Sequence, residues 1–329
     1  MNARRLLCVA GLGVILLSGN SCMLDAQTRA EGTFDRMLVV NGPVDLDIRT
    51  GSGTIQIRTG ASDSIHVIGH VRAGMSWFVE GSAEDRVKQI VAAPPIEQSG
   101  ASVRIGRTTD EVLFRNISIS YDVTVPVDTR LRSRSGSGAQ TIGSLRGPVD
   151  AGAGSGSIRI GQVGGDVQAS IGSGDIELER ADGSFNASAG SGWVTAKAVG
   201  GAVKARAGSG HIDVTQTGQA DVEVMTGSGS IAVTGARGGL DARAGSGDIA
   251  IDGQPAQNWN LKAGSGDITM RLTENAAFDL DARTGSGVVE TSHPLTATGV
   301  VSRSRLQGTV RGGGPKLNVA TASGSIRIR

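Results

Sequence analysis

Ala169-Ser170-Ile171-Gly172-Ser173-Gly174-Asp175-Ile176-Glu177-Leu178 sets two short alternations of apolar and polar residues either side of a Gly-Ser-Gly tripeptide. Alternation at two residues is the period of a strand with one buried face, because successive Cβ atoms point to opposite sides. Gly-Ser-Gly recurs from Gly136, Gly154, Gly172, Gly190, Gly208, Gly227, Gly245, Gly264 and Gly285, at intervals of 18, 18, 18, 18, 19, 18, 19 and 21 residues. A repeat of this length marks stacked structural units. An earlier copy stands at Gly51, and a degenerate Ala322-Ser323-Gly324 closes the chain.

Working outward from the tripeptide, each copy is followed by an apolar pair such as Ile158 and Ile160, Ile212 and Val214, or Ile249 and Ile251. Each is preceded by a second alternation with smaller residues, as in Phe185-Ala187-Ala189 or Leu240-Ala242-Ala244. Gly164-Gly165, Asp182-Gly183, Gly200-Gly201 and Gly238-Gly239 mark a further turn between the two strands. Glycine accepts backbone angles closed to other residues, and the Ser of each tripeptide is expected to hydrogen-bond nearby backbone. A helix is excluded, since each interior Gly would cost about 1 kcal/mol and the apolar period is two.

The fold class read from this pattern is all-β: a parallel β-solenoid, or single-stranded β-helix, of about 18-residue coils. Roughly eleven coils spaced about 4.8 Å apart would make a rod on the order of 50 Å long. The general preference of parallel crossovers favours a right-handed coil. One short helix is expected near the N-terminal end over Ser82–Val91, with Ser82 and Asp85 as its cap and Pro94-Pro95 as its stop. Leu38-Val39-Val40, Val44-Leu46-Ile48 and Ile55-Ile57 read as the first solenoid strands, and Val103–Ile105, Val112–Phe114 and Ile117–Val125 as strands leading into the regular array. Ser325-Ile326-Arg327-Ile328-Arg329 reads as the terminal strand, its alternating Arg opposing edge pairing and favouring a monomer.

Arg4 and Arg5 precede an apolar run from Leu6 to Leu17, too short for a membrane span and the right length for a secretory leader. Cleavage after Ser21 would leave Cys22 first, the lipidation position of a bacterial lipoprotein, although the run from Leu17 to Cys22 is an imperfect lipobox. The alternative is ordinary cleavage nearby, after Ala26. Residues 1–21 thus read as signal peptide, 22–33 as a short tether, and 34–329 as one solenoid domain, irregular over 34–130 and regular over 131–329. Both cysteines, Cys8 and Cys22, fall outside the folded part, which therefore holds no disulfide.

Of the 329 residues 51 are Gly and 8 are Pro, without the three-residue period that collagen requires. At 38% hydrophobic with a net charge of +1, the chain is too apolar for a disordered tail and carries no charge excess for nucleic acid.

The segment Ile119-Ser120-Tyr121-Asp122-Val123-Thr124-Val125-Pro126, then Arg132-Ser133-Arg134-Ser135-Gly136-Ser137-Gly138 and the serial copies of the Gly172–Leu178 type, resembles the bacterial putative-adhesin β-repeat family. The resemblance spans about Phe34 to Arg329. It implies a β-solenoid exported or membrane-tethered in bacteria, with no catalytic residue and no cofactor to carry over.

Candidate chemistry is sparse. Asp175, Asp248 and Asp267 follow Gly-Ser-Gly turns, and the last two fall on adjacent coils, where a carboxylate edge for Ca²⁺ is conceivable; exposed turn residues are the plainer reading. Arg206, Arg243, Lys262 and Arg283 suggest a basic edge ladder, with Asp248 in reach of Arg243. His66 and His70 share one strand face without a third ligand, His211 and His293 are scattered, and Trp193 and Trp259 are too few for a sugar platform. The reading that follows is a non-enzymatic exported cell-envelope protein, at the outer membrane or in the periplasm, presenting a binding or scaffolding surface to an envelope protein or glycan. A carbohydrate-active β-helix enzyme and a self-assembling envelope scaffold are the alternatives.

Overall fold

The computed structural model describes residues 30–74, 82–108, 110 and 112–329; the leader and Cys22 lie outside them. Among the described residues, no helix is long and apolar enough to cross a membrane. Strands stack in parallel register with an offset of one repeat, as all-β solenoid coils should. Ile158, Ile176, Val194, Ile212, Ile231, Ile249 and Ile268 partner one another serially, and all are buried. The strand before each corner does the same through Val149, Val167, Phe185, Val203, Val222, Leu240 and Trp259. Behind these larger residues a row of alanines (Ala151, Ala169, Ala187, Ala205) leaves room in a thin interior. Trp259 is not a surface platform: it is fully buried in this row, and its Nε1–H donates to the Gly238 carbonyl at 2.9 Å.

The corners explain why glycine recurs. A Cβ on Gly245 would lie 2.4 Å from the carbonyl oxygen of Gly227 one coil away, and Gly247 has φ +128°. The first glycine is needed for close approach and the second for its backbone angle. Between them Ser246 is exposed, and its carbonyl accepts the Gly229 N–H at 2.8 Å. Contrary to expectation, none of the corner serine hydroxyls makes a hydrogen bond among the described residues. Inward threonines fasten some corners instead: Thr226 Oγ1 donates to the Gly210 carbonyl at 2.9 Å and Thr321 Oγ1 to that of Gly266 at 3.0 Å.

Among the described residues eleven coils stack, but not in chain order. The first coil, Val44–Ser52 with Ile55–Thr59, pairs directly with Thr129–Ser137 and Gln140–Ile142. The intervening chain forms an N-terminal cap. In it Ser64–Ala73 runs antiparallel to both Glu31–Val39 and Ile117–Val125, and the latter lies parallel to Ile55–Thr59. Leu38-Val39-Val40 therefore belongs to the cap, and the solenoid starts at Val44. Val112–Phe114 is a turn rather than a strand, because the Asp110 side chain takes the Leu113 N–H at 2.9 Å. The helix spans Ala83–Ala92, capped by the Ser82 hydroxyl accepting from Asp85 N at 3.0 Å. Its Val87 and Val91 lie over Gly32, where a Cβ would sit 2.7 and 2.8 Å from them.

The closing segment is not terminal in space. Lys316–Ser323 lies between Trp259–Ser265 and Phe278–Ser286, and Ile326–Ile328 lies between Ile268–Leu272 and Val289–Thr291. The strand read as an open edge guarded by Arg is thus paired on both sides. Its place at the end is taken by Arg305–Val310, antiparallel to Phe278–Ser286 and followed by Leu295–Ser302.

Candidate functional site: a polar trough on the first-strand face

Side chains between the inward residues of each first strand point to solvent, and in-register stacking lines them into rows. One row begins Asp47, Arg132, Asp150 and continues through Gln168, Asn186 and Lys204. Over this row run two adjoining hollows of about 570 and 620 Å³, which share Ser184 and Asn186 and so form one trough along the stack. One wall is the turn before each first strand. There Asp166 Oδ1 accepts the backbone N–H and hydroxyl of Ser184, both at 2.8 Å. Asp221 Oδ1 accepts Gly239 N–H, and Asn258 Oδ1 accepts Lys316 N–H, again at 2.8 Å. Each wall side chain therefore ties its coil to the next, and the wall is fixed by hydrogen bonds. The Ser184 N–H, with the Ser184 hydroxyl, holds the Asp166 carboxyl below its ordinary pKa.

The end of the trough nearest the N-terminal cap is rich in arginine. Asp47 receives Arg49 Nε at 3.0 Å and Arg107 Nη2 at 2.8 Å. Asp150 receives Arg134 Nη2 at 2.6 Å and Arg132 Nε at 3.3 Å, while Asp45 and Arg130 lie 3.4 Å apart. Partial burial would raise the Asp47 pKa, but the hydrogen bonds and charges of Arg49 and Arg107 outweigh it and hold the group below its ordinary value. These carboxylates are anchored by their arginine partners.

The residues singled out in the sequence are used otherwise. Asp175, Asp248 and Asp267 accept backbone N–H groups of the next coil, from Trp193 at 2.8 Å, Asp267 at 2.8 Å and Ser325 at 2.7 Å. Asp248 and Asp267 do lie on adjacent coils, but the second oxygen of Asp267 pairs with Arg327 at 2.7 Å. Among the described residues no three His, Cys, Asp or Glu side chains gather as a metal site. Arg243 pairs with Asp241 on its own strand, not with Asp248. The basic ladder is interrupted, since Met225 separates Arg206 from Arg243 and Ala320 separates Lys262 from Arg283. His66 and His70 share a strand but meet different carboxylates, Asp35 at 2.7 Å and Asp122 at 3.4 Å. His293 is buried edge-on to Phe278. Trp193 is 59% exposed at its corner, edge-on to His211 with ring centroids 5.0 Å apart.

The arginine end was missed, although its signal is in the sequence. Asp45-Leu46-Asp47-Ile48-Arg49 and Arg130-Leu131-Arg132-Ser133-Arg134 alternate charged residues with inward ones, and the two segments pair strand to strand.

No curated protein matches the chain in sequence. The structure is similar to that of a putative cell adhesion protein from Clostridium sporogenes, 11% identical, over 90% of this chain and 99% of that one, with a TM-score of 0.18. It is also similar to that of a putative adhesin from Bacteroides fragilis, 9% identical, over 91% and 97% of the two chains, with a TM-score of 0.27. At these TM-scores the molecules do not superpose as wholes, and no functional reading follows from either. Residues 96–329, well over half of the chain and including nearly all of the regular coils, match the family described as Toastrack DUF4097, and the chain belongs to that family of unknown function.

Proposed function

We propose that the protein is a non-enzymatic, exported cell-envelope protein of adhesin-like architecture, and that the trough is its recognition surface for an envelope glycan or protein. The trough itself carries this reading: a polar groove crossing successive coils, walled by side chains locked to neighbouring backbone. Two of the trough's carboxylates, Asp47 and Asp166, are engaged by Arg49 and Arg107 and by Ser184. Export rests on Arg4, Arg5 and the Leu6–Leu17 run, and membrane attachment on lipidation of Cys22. The antiparallel caps at both ends of the stack favour a monomer.

The test is fractionation of a Gram-negative host expressing the full chain, with intact mass of the mature protein and incubation of that protein with isolated envelopes. A diacylglyceryl-bearing chain starting at Cys22, binding envelopes without releasing soluble saccharide, is the expected result. Retention in the cytoplasm, or steady saccharide release, would overturn the proposal.

A further inference from the structure

We propose that Asn41 is a site of spontaneous covalent modification, where the side-chain amide is lost as ammonia and a carboxylate takes its place. The change needs only water. It puts a negative charge, and in part of the molecules an isoaspartyl link, at the joint between the N-terminal cap and the solenoid.

Asn41-Gly42 is the one Asn-Gly pair in the sequence, a turn-forming pair with no side chain on its second residue. Residues 40–43 join Glu31–Val39 of the cap to Val44–Ser52 of the first coil. Among the described residues those two strands do not pair with each other, so no ladder crosses the joint. Its two ends are fixed: Val40 and Val44 are buried, and the Val40 N–H donates to the Asp63 carbonyl at 2.9 Å. Its middle is open. Asn41, Gly42 and Pro43 are exposed, Gly42 has φ +81°, and a Cβ there would meet nothing within 4 Å. Among the described residues neither the Gly42 N–H nor the Asn41 side chain makes a hydrogen bond.

Every other described asparagine is restrained by its surroundings. Asn116 precedes Ile117, whose N–H donates to the Phe114 carbonyl at 3.2 Å, and Asn275 precedes Ala276, whose N–H donates to the Thr273 carbonyl at 2.9 Å. Asn258 Oδ1 accepts the Lys316 N–H at 2.8 Å, and the next residue is the fully buried Trp259. Asn186, Asn260 and Asn318 sit in strands paired on both sides, where the following N–H belongs to the ladder. The attacking nitrogen must be unshielded and without a hydrogen bond, and of the residues that follow these asparagines Gly42 alone meets both conditions.

The Gly42 nitrogen, its proton removed by solvent base, attacks Asn41 Cγ. The N–Cγ bond forms, the Cγ–Nδ2 bond breaks, and the amide leaves as ammonia after taking a proton from water, so that a cyclic succinimide remains. Water then adds to one of the two ring carbonyls and breaks its bond to the Gly42 nitrogen. Opening at Cγ restores the main chain with an aspartate side chain. Opening at the backbone carbonyl routes the chain through Cβ and Cγ, an isoaspartyl link one methylene longer. Either product replaces a neutral amide by a carboxylate, four residues before Asp45 at the arginine end of the trough.

The full mature chain would be kept warm for some weeks at mildly acid and mildly alkaline pH, then cut with trypsin and mapped by mass spectrometry against an unincubated sample. The peptide Met37–Arg49 should gain one dalton and resolve into two species of equal mass, the isoaspartyl form identified by electron-transfer fragmentation. Conversion should be severalfold faster at alkaline pH, because the attacking nitrogen must lose its proton, and severalfold faster than at Asn116, Asn186 or Asn275. Asn41→Ser keeps a turn-forming residue without the carboxamide and should give no such product. An unchanged Met37–Arg49 peptide, conversion no faster than at the other asparagines, or the same product in Asn41→Ser each overturns the proposal.

Discussion

Ser323 lies beside Ser265 in parallel register although 58 residues separate them, because the closing segment slots between two coils laid down earlier in the chain. Leu317, Val319, Ile326 and Ile328 are buried by this insertion. Burying such side chains contributes roughly 1.5–3 kcal/mol each, against a net stability of about 5–15 kcal/mol for a domain. Deleting residues 316–329 should therefore lower Tm by about 10 °C or more. It should also leave open edges that associate. Calorimetry and analytical ultracentrifugation check both, and a peptide of residues 316–329 added in trans should restore the monomer.

Ile249 is fully buried and pairs with Ile231 on one side and Ile268 on the other, whereas Ala250 faces outward. An aspartate at 249 would put an unpaired charge in the interior. Ile249→Asp should abolish cooperative unfolding or cost more than about 4 kcal/mol, while Ala250→Asp should stay within about 0.5 kcal/mol of the parent. Chemical denaturation of the pair measures the contrast.

The two kinds of corner residue should separate just as cleanly. Gly247 carries φ +128°, and a Cβ there would lie 2.2 Å from the Gly229 carbonyl oxygen, so Gly247→Ala strains both the turn and the neighbouring coil. A loss of about 2 kcal/mol or more is expected. Ser246→Ala, next to it, removes an exposed hydroxyl with no hydrogen bond and should be nearly neutral. Thermal melts of the two variants distinguish these outcomes.

Asp47 links the acid behaviour of the fold to the arginine end of the trough. Its folded pKa lies below the ordinary carboxylate value, so its pairing with Arg49 and Arg107 stabilises the protein above that value. The contribution declines as pH falls below about 4 and is gone beneath the folded pKa. Tm followed from pH 6 to pH 2 should fall less steeply in Asp47→Asn than in the parent, and the two curves should converge at the acid end.

The sequence made the repeat, the inward rows and the helix cap readable because each depends on residues close together in the chain. Ile176 and Leu178 announce a strand by their spacing, and Ser82 with Asp85 announces a helix start. Coil order is different. Nothing local distinguishes Ala322-Ser323-Gly324 as the tenth coil rather than the eleventh, since every corner offers the same edge chemistry. The choice is made by the Leu295–Ser302 and Arg305–Val310 hairpin, whose antiparallel pairing covers the far side of Phe278–Ser286. The trough was hidden for a related reason. Its alternating charges were visible at Asp45–Arg49 and Arg130–Arg134, but their convergence requires the first coil to meet the second across an intervening cap of some seventy residues. Buried polar groups were equally silent: Gln140 occupies an inward row between Ile55 and Ile158, satisfied by the Ser133 hydroxyl at 2.7 Å and the Gly152 carbonyl at 2.6 Å.

The most direct test of the trough as the recognition surface is to block it where its two hollows meet. Asn186 is exposed at that junction, and Thr195 occupies an outward position on the strand that follows the corner, outside both hollows. Envelope co-sedimentation would be measured for the wild type, Asn186→Trp and Thr195→Trp, with Tm confirming intact folding. Binding reduced about tenfold or more in Asn186→Trp and unchanged in Thr195→Trp is the predicted result; equal binding by all three proteins would contradict it.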